Sequence, residues 1–150
     1  MDKFDKIDNR IIDMLYKDAS ISVPKLSRAI QSNAPLVYSR IRRLLKMGYI
    51  NKYTIEVNEE LLGYSVLAIT GINVDPTFRQ NIIKELLAKE LVRRVTEVTG
   101  RFDILIELRS KSINELHEFI SSHISRIAGI RYTETFIGMK KRARDPIFSI

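Results

Sequence analysis

The 150 residues contain no cysteine and no tryptophan, and only two histidines. Without cysteine, neither a disulfide framework nor a thiolate metal site can form. The histidines, His117 and His123, are six apart on one expected helix. That spacing turns them roughly 120° from each other, so they cannot chelate as an i, i+4 pair does. Phosphate-binding glycine loops, dinucleotide fingerprints and nucleophile elbows are also lacking. An enzyme is therefore not expected, nor a metal or cofactor. No apolar run reaches membrane-spanning length, and the opening MDKFDKID has no signal-peptide core. The expectation is a cytoplasmic protein with no membrane partner.

What is plentiful is positive charge, and it is unevenly spread. The net charge is +7. Residues 1–55 hold eleven lysines and arginines against five aspartates, while residues 56–150 hold fourteen against thirteen acidic residues. A basic N-terminal third joined to a near-neutral remainder suggests a polyanion-binding module attached to a partner domain.

Residues 33–48, NAPLVYSRIRRLLKMG, read as a short helix with marked ends. Asn33 suits the N-cap, Pro35 the first turn and Gly48 a left-handed stop. Val37, Ile41 and Leu44 fall on one stripe, and Pro35, Ser39, Arg42 and Arg43 on the opposite side with Lys46 below. A basic face of this kind serves equally as a solvated surface or as a contact for a polyanion. Two further helices precede it. Asp5 caps the first, with Ile7, Ile11, Met14 and Leu15 on its inner side; Ser22 caps the second, with Val23, Leu26 and Ile30. A tight turn through Gln31 and Ser32 joins the second helix to the third. Three short helices ending in a basic one follow the helix-turn-helix plan, in which the third helix enters the DNA major groove. On that plan Asn33, Pro35, Leu36, Ser39, Arg42 and Arg43 lie at the groove, with Arg42 or Arg43 suited to a guanine. Lys25, Arg28, Lys46 and Lys52 read as phosphate contacts. Arg40 flanks the stripe, where a salt bridge back to the first helix is at least as good a reading. Alternation from Ile50 to Val57 predicts a strand after the third helix, as in winged domains.

The run D-x-x-D-x-x-I-I-x-x-L-x-x-D-A-S-I-S from Asp5 to Ser22, with Leu26-Ser27, R-I-R-R-L (Arg40 to Leu44) and G-Y-I-x-x-Y (Gly48 to Tyr53), resembles the leucine-responsive regulator/AsnC family of transcription regulators. The family usually has glycine and an apolar residue in the turn, where this chain has Gln31 and Ser32.

Residues 58–63, NEELLG, read as a linker between a domain over residues 1–57 and another over 64–150. Strands are expected at Tyr64–Val74, Val92–Thr99, Ile104–Arg109 and Ile130–Met139. One helix begins at Asp75-Pro76; another begins at a capping box of Ser112 and Glu115 and runs on to Ile127. The order βαββαβ is ferredoxin-like, so the fold class is α+β: a winged helix-turn-helix followed by an antiparallel sheet with both helices on one face. Strands Tyr64–Val74 and Ile104–Leu108 are apolar at nearly every position, so the face away from the helices also needs a cover, most simply a second subunit. The resemblance implies sheet-to-sheet dimers assembling into tetramers or octamers.

Val98 to Asp103, VTGRFD, resembles the family's V-x-G-x-x-D loop, which lines an amino-acid effector site between dimers. A plain hairpin turn is the alternative reading of these residues alone. As an effector site the loop would use Thr99, Gly100, Arg101, Phe102 and Asp103, with Thr133 and Thr135 on the last strand. The glycine permits close backbone approach, and Asp103 can meet an ammonium. The polar lining of Arg101, Thr133 and Thr135 favours a polar effector such as glutamine over leucine. The tail adds Lys140, Lys141, Arg142 and Arg144, either as phosphate contacts or as a solvated end.

These readings combine into a regulator that binds double-stranded DNA and responds to a free amino acid. The alternatives are an amino-acid-sensing oligomer without operator binding, or a nucleoid-type architectural DNA-binding protein. RNA binding is disfavoured because its usual sheet platform needs exposed aromatics for stacking.

Overall fold

The computed structural model describes residues 4–140 and residue 142. The described residues divide into two compact units, with the division between Glu56 and Val57.

The first unit contains α1 (Lys6–Lys17), α2 (Val23–Ala29) and α3 (Ala34–Lys46). Asp5 starts α1 through a reciprocal cap. Its carboxylate accepts from the Ile7 and Asp8 amides at 2.8 and 2.9 Å, and its own amide donates to the Asp8 carboxylate at 3.1 Å. Asn33 starts α3 by accepting from the Leu36 amide at 2.9 Å, and Gly48 takes a φ of 78° beyond its end. Ser22 occupies the N-cap of α2 without the expected side-chain bond. Ile11, Leu15, Leu26, Ile30, Val37, Ile41 and Leu44 are the shared core, so the three expected stripes do converge. Short helices of this kind owe their stability to that shared burial. In the turn between α2 and α3, Gln31 itself takes the left-handed backbone, at φ 57°. That conformation costs a residue other than glycine roughly 1–2 kcal/mol.

The strand expected over Ile50–Val57 does not form: residues 51–57 carry no regular secondary structure. Alternation prepares a strand but does not supply the neighbour whose N–H and C=O groups complete it, and the regular elements among the described residues of the first unit are all helices. Tyr53, Ile55 and Val57 are consequently exposed.

In the second unit, β1 (Val66–Val74), α4 (Arg79–Leu87), β2 (Val92–Glu97), β3 (Ile104–Ser110), α5 (Ile113–Phe119) and β4 (Ile130–Gly138) follow in the ferredoxin-like order. The antiparallel sheet runs β2-β3-β1-β4. One face carries Ala68, Ile72, Val74, Ile104, Ile106 and Leu108, buried with Ile82 and Leu86 of α4 and Leu116 and Phe119 of α5. Each of these side chains other than Ala68 contributes about 1.5–3 kcal/mol by leaving water. Residues directly opposite on paired strands share a face. The Ile69–Phe136 pair therefore lies on the other face, where Ile69 is 40% and Phe136 49% exposed. This open apolar face is the one expected to need a cover.

Local details depart from the sequence expectations. Asp75 caps a 3-10 turn (Pro76–Phe78) that leads into α4, not α4 itself. Helix α5 passes at Ile120 into a π turn that ends at Ile124, well short of Ile127. Ser112 caps α5, but Glu115 reaches past it to the Lys111 amide (2.6 Å) and the Ser110 hydroxyl (2.6 Å), so the capping box is only half formed. Residues 58–63 form a compact turn held to β3 by an ion pair between Glu59 and the buried Arg109.

Candidate nucleic-acid interface and effector loop

The inner stripe of α3 orients the rest of the helix. With Val37, Ile41 and Leu44 buried, Asn33, Pro35, Leu36, Tyr38, Ser39, Arg42 and Lys46 are all exposed. Arg43 is not among them. Asp8, fully buried on α1, lies 3.0 Å from Arg40 Nη1 and also pairs with Arg43 Nη2; Asp5 meets Arg40 Nη1 at 2.6 Å. Two carboxylates from α1 thus draw both arginines toward the domain. This corrects the expectation that Arg43 stands free at the groove, and Arg40 does bridge back to α1. The Asp8 amide, aided by Arg40, holds the Asp5 carboxyl below its ordinary value of 3.8, and Asp5 in turn raises Arg40. Of the three arginines on α3, Arg42 faces outward, its guanidinium carbon 6.0 Å from the centre of the Tyr38 ring.

Lys25, Arg28, Lys46 and Lys52 are exposed. Arg28 Nε also donates to the Pro24 carbonyl at 3.2 Å, which fixes its stem against α2. Of the basic tail, Lys141 and Arg144 lie outside the described residues.

In the second unit, the loop from Val98 to Asp103 is closed by the Val98 amide donating to the Asp103 carbonyl at 3.0 Å. Asp103 is already engaged. Its carboxylate accepts from the Val74 amide at 3.0 Å and from Arg79 Nη2 at 3.2 Å, and its amide donates to Ile72 at 3.0 Å. Asn73 Nδ2 donates to the Arg101 carbonyl at 2.9 Å. The Phe102 ring lies directly over Gly71, where an added Cβ would come within 2.5 Å of it. Four hydrogen bonds to β1 and α4, with the Phe102 ring packed on Gly71, thus hold the loop, while Gly100, at φ 128°, has open space around it. Asp103 anchors the loop through a neutral and a charged donor, and Arg79 offsets its charge.

Thr133 and Thr135 do not join Arg101. They pair with Ile72 and Thr70 on the helix-covered face, and the Thr135 hydroxyl lies 2.8 Å from that of the buried Thr70. Arg101 instead lies 2.8 Å from Glu134, which pairs with Gly71 on the opposite face, beneath Phe102. The lining expected from Arg101 and the two threonines is therefore split across the sheet, and with it the case for glutamine. Among the described residues, no group of three potential ligands is placed to hold a metal, and no helix is long and apolar enough to cross a membrane.

Two family models match the two units. The first, for winged helix-turn-helix DNA-binding, covers residues 4–51; the second, for the Lrp/AsnC ligand-binding domain, covers residues 67–147. The chain belongs to the Lrp/AsnC family. It is a DNA-binding transcription regulator with a ligand-binding domain, not an enzyme. The regulator FL11 of Pyrococcus abyssi is 35% identical over 91% of this chain and 89% of its own length. Among solved structures, Escherichia coli AsnC superimposes with a TM-score of 0.90 at 23% identity, over 97% of this chain and 99% of that one. A Neisseria meningitidis regulator, NMB0573, solved with L-methionine, superimposes with a TM-score of 0.92 at 15% identity, over 98% of this chain and 97% of its own. These two likenesses establish the Lrp/AsnC fold.

Around the Lrp/AsnC loop, sequence reasoning missed Gly71, Asn73, Arg79 and Glu134, and around α3 it missed Asp8 and Tyr38. Asp8 was already visible as part of the D-x-x-D run, but its service to two arginines 32 and 35 residues away has no local signal.

Proposed function

We propose that this regulator reads operator DNA with α3 and senses a free amino acid at the loop of residues 99–103, the effector altering how copies of the chain assemble. The observation that carries the reading is the contrast between α3's two sides: an apolar stripe in the core and an exposed row of Pro35, Ser39, Arg42 and Lys46. Asn33, Leu36, Ser39 and Arg42 meet base edges, and Lys25, Arg28, Lys46 and Lys52 meet phosphates. The protein works in the cytoplasm, where its DNA is. The open face of the sheet, with Ile69 and Phe136, is covered by a second copy, and dimers assemble further into tetramers or octamers. The effector acts by linkage, because it favours one assembly over another and each assembly fits different operator spacings.

The methionine complex of the Neisseria relative supports an amino acid as the ligand class. Thr99, Gly100 and Arg101 form the accessible part of the loop, and Phe102 and Asp103 hold it in shape. Titration of the twenty amino acids by calorimetry, with light scattering to follow assembly, tests this half. Binding of one or a few with a change in oligomer size is expected; no binding by any refutes the sensor. The Asp103→Ala variant is expected to lose the effector response while retaining operator binding, because the loop loses the Val74 and Arg79 attachments. A response equal to that of the parent protein would refute the role given to Asp103.

A further inference from the structure

We propose that Tyr38 sets the base preference of α3 by holding Arg42 in the orientation a guanine requires. The proposal rests on the reading of α3 as the DNA-reading helix. Residues four apart on an α-helix lie roughly 40° apart around its axis, so Tyr38 and Arg42 share the outward arc with Pro35, Ser39 and Lys46. Tyr38 is 57% exposed, a large ring in mid-helix that the core does not use. The guanidinium carbon of Arg42 lies over this ring, 6.0 Å from its centre and at the outer limit of a cation–π contact.

Such a contact matters because of what Arg42 is asked to do. A bidentate bond to guanine O6 and N7 needs the planar guanidinium in one orientation, and a free arginine side chain loses much rotamer freedom in reaching it. A ring beneath one face of the guanidinium removes many of the unproductive orientations and leaves the N–H edge outward. The carboxylates at the start of α1, Asp5 and Asp8, are taken by Arg40 and Arg43 and do not draw this arginine inward. Arg42 is thereby reserved for the DNA, one guanine contact per helix, and Tyr38 decides how sharply that contact discriminates. Tyr38 is a positioning residue in this scheme; it needs no base contact of its own.

The test uses the full-length protein. Preferred duplexes are first selected from a random library, and each G·C pair of the selected site is then exchanged in turn. Arg42→Ala is expected to lose about tenfold to a hundredfold in affinity for the selected duplex and to become indifferent to exchange of one G·C pair. Tyr38→Ala is expected to lose about threefold to fivefold and to show a weaker preference at that same pair only. Tyr38→Phe keeps the ring and should match the parent protein, whereas Tyr38→Leu keeps apolar bulk without the ring and should behave as Tyr38→Ala. In the Arg42→Ala background, removing Tyr38 should cost nothing more. Undiminished preference in Tyr38→Ala, or losses that add in the double variant, would overturn the positioning role and leave the DNA-reading helix standing. A parent protein that selects no sequence would overturn both.

Discussion

Replacing Asp8 by alanine is expected to unfold much of the DNA-binding unit at temperatures the parent protein tolerates. Asp8 is fully buried, and its carboxylate meets Arg40 and Arg43, whose side chains retain only 20% and 23% of their exposure. Removing it takes a fully buried counter-charge from two partly buried arginines, of which Arg40 keeps Asp5, and breaking such a group costs up to about 3–5 kcal/mol. Against a total stability of about 5–15 kcal/mol for a domain, that is a large fraction. The same substitution removes the acceptor for the Asp5 amide, so the start of α1 loosens as well. Thermal or urea unfolding followed by circular dichroism, with operator binding in parallel, measures the loss. Asp13→Ala is the control. Asp13 pairs with Lys17 one helical turn away, on the surface, where such pairs contribute about 0.3–0.5 kcal/mol. A loss at Asp8 no larger than at Asp13 would show that the arginines find water instead.

The same corner of the fold responds to acid in a defined direction. The Asp5 carboxyl titrates below 3.8 in the folded protein, chiefly because it accepts from the Asp8 amide, with Arg40 contributing. A carboxyl whose folded value is depressed binds protons more readily when unfolded. Its contribution is therefore complete above 3.8 and disappears as the pH falls through the lower folded value. The DNA-binding unit of Asp5→Asn should lack that part of its acid sensitivity.

Gly71→Val is expected to be the most damaging single change in the sheet. A Cβ at position 71 would lie 2.5–2.6 Å from three atoms of the Phe102 ring. The ring cannot step aside freely, because its neighbours Arg101 and Asp103 are bonded to Asn73 and to Val74 and Arg79. Overpacking against a held ring costs at the upper end of about 1–3 kcal/mol, and here it also displaces the loop of residues 98–103. Loss of amino-acid response is expected together with a lower unfolding temperature. In a Phe102→Ala background the space is vacant, so Gly71→Ala should then cost little. An equal penalty with and without the ring would assign the effect to the strand backbone instead.

Much of this architecture can be read from side-chain spacing, and the misreadings share a physical cause. The stripes of Val37, Ile41 and Leu44, or of Leu26 and Ile30, are legible because a helix repeats every 3.6 residues and one face must be dry. Arg43 lies between the dry stripe and the open face, so its direction is set by Asp8, 35 residues earlier. Alternation tells that Thr133 and Thr135 share a face but not which one; the pairing of Thr135 with buried Thr70 decides it. The same limit explains residues 51–57, which alternate as a strand does yet pair in no ladder among the described residues. Local pattern determines which residues go together, whereas a partner distant in sequence determines where they point.

The pairing of Arg40 and Arg43 with Asp5 and Asp8 has a last consequence, in the ionic strength at which this protein lets go of DNA. Each phosphate neutralised by a protein cation releases counterions condensed on the duplex, and the steepness of salt dissociation counts those contacts. Eleven basic residues in the first fifty-five suggest a steep dependence. Arg40, Arg43 and Lys17, however, are balanced by carboxylates of their own domain. If Lys25, Arg28, Lys46 and Lys52 supply the phosphate contacts, the logarithmic salt slope should be about −3.6 per bound copy. On that slope a doubling of salt weakens the hold of each copy on DNA by about twelvefold, far less than eleven free cations would give.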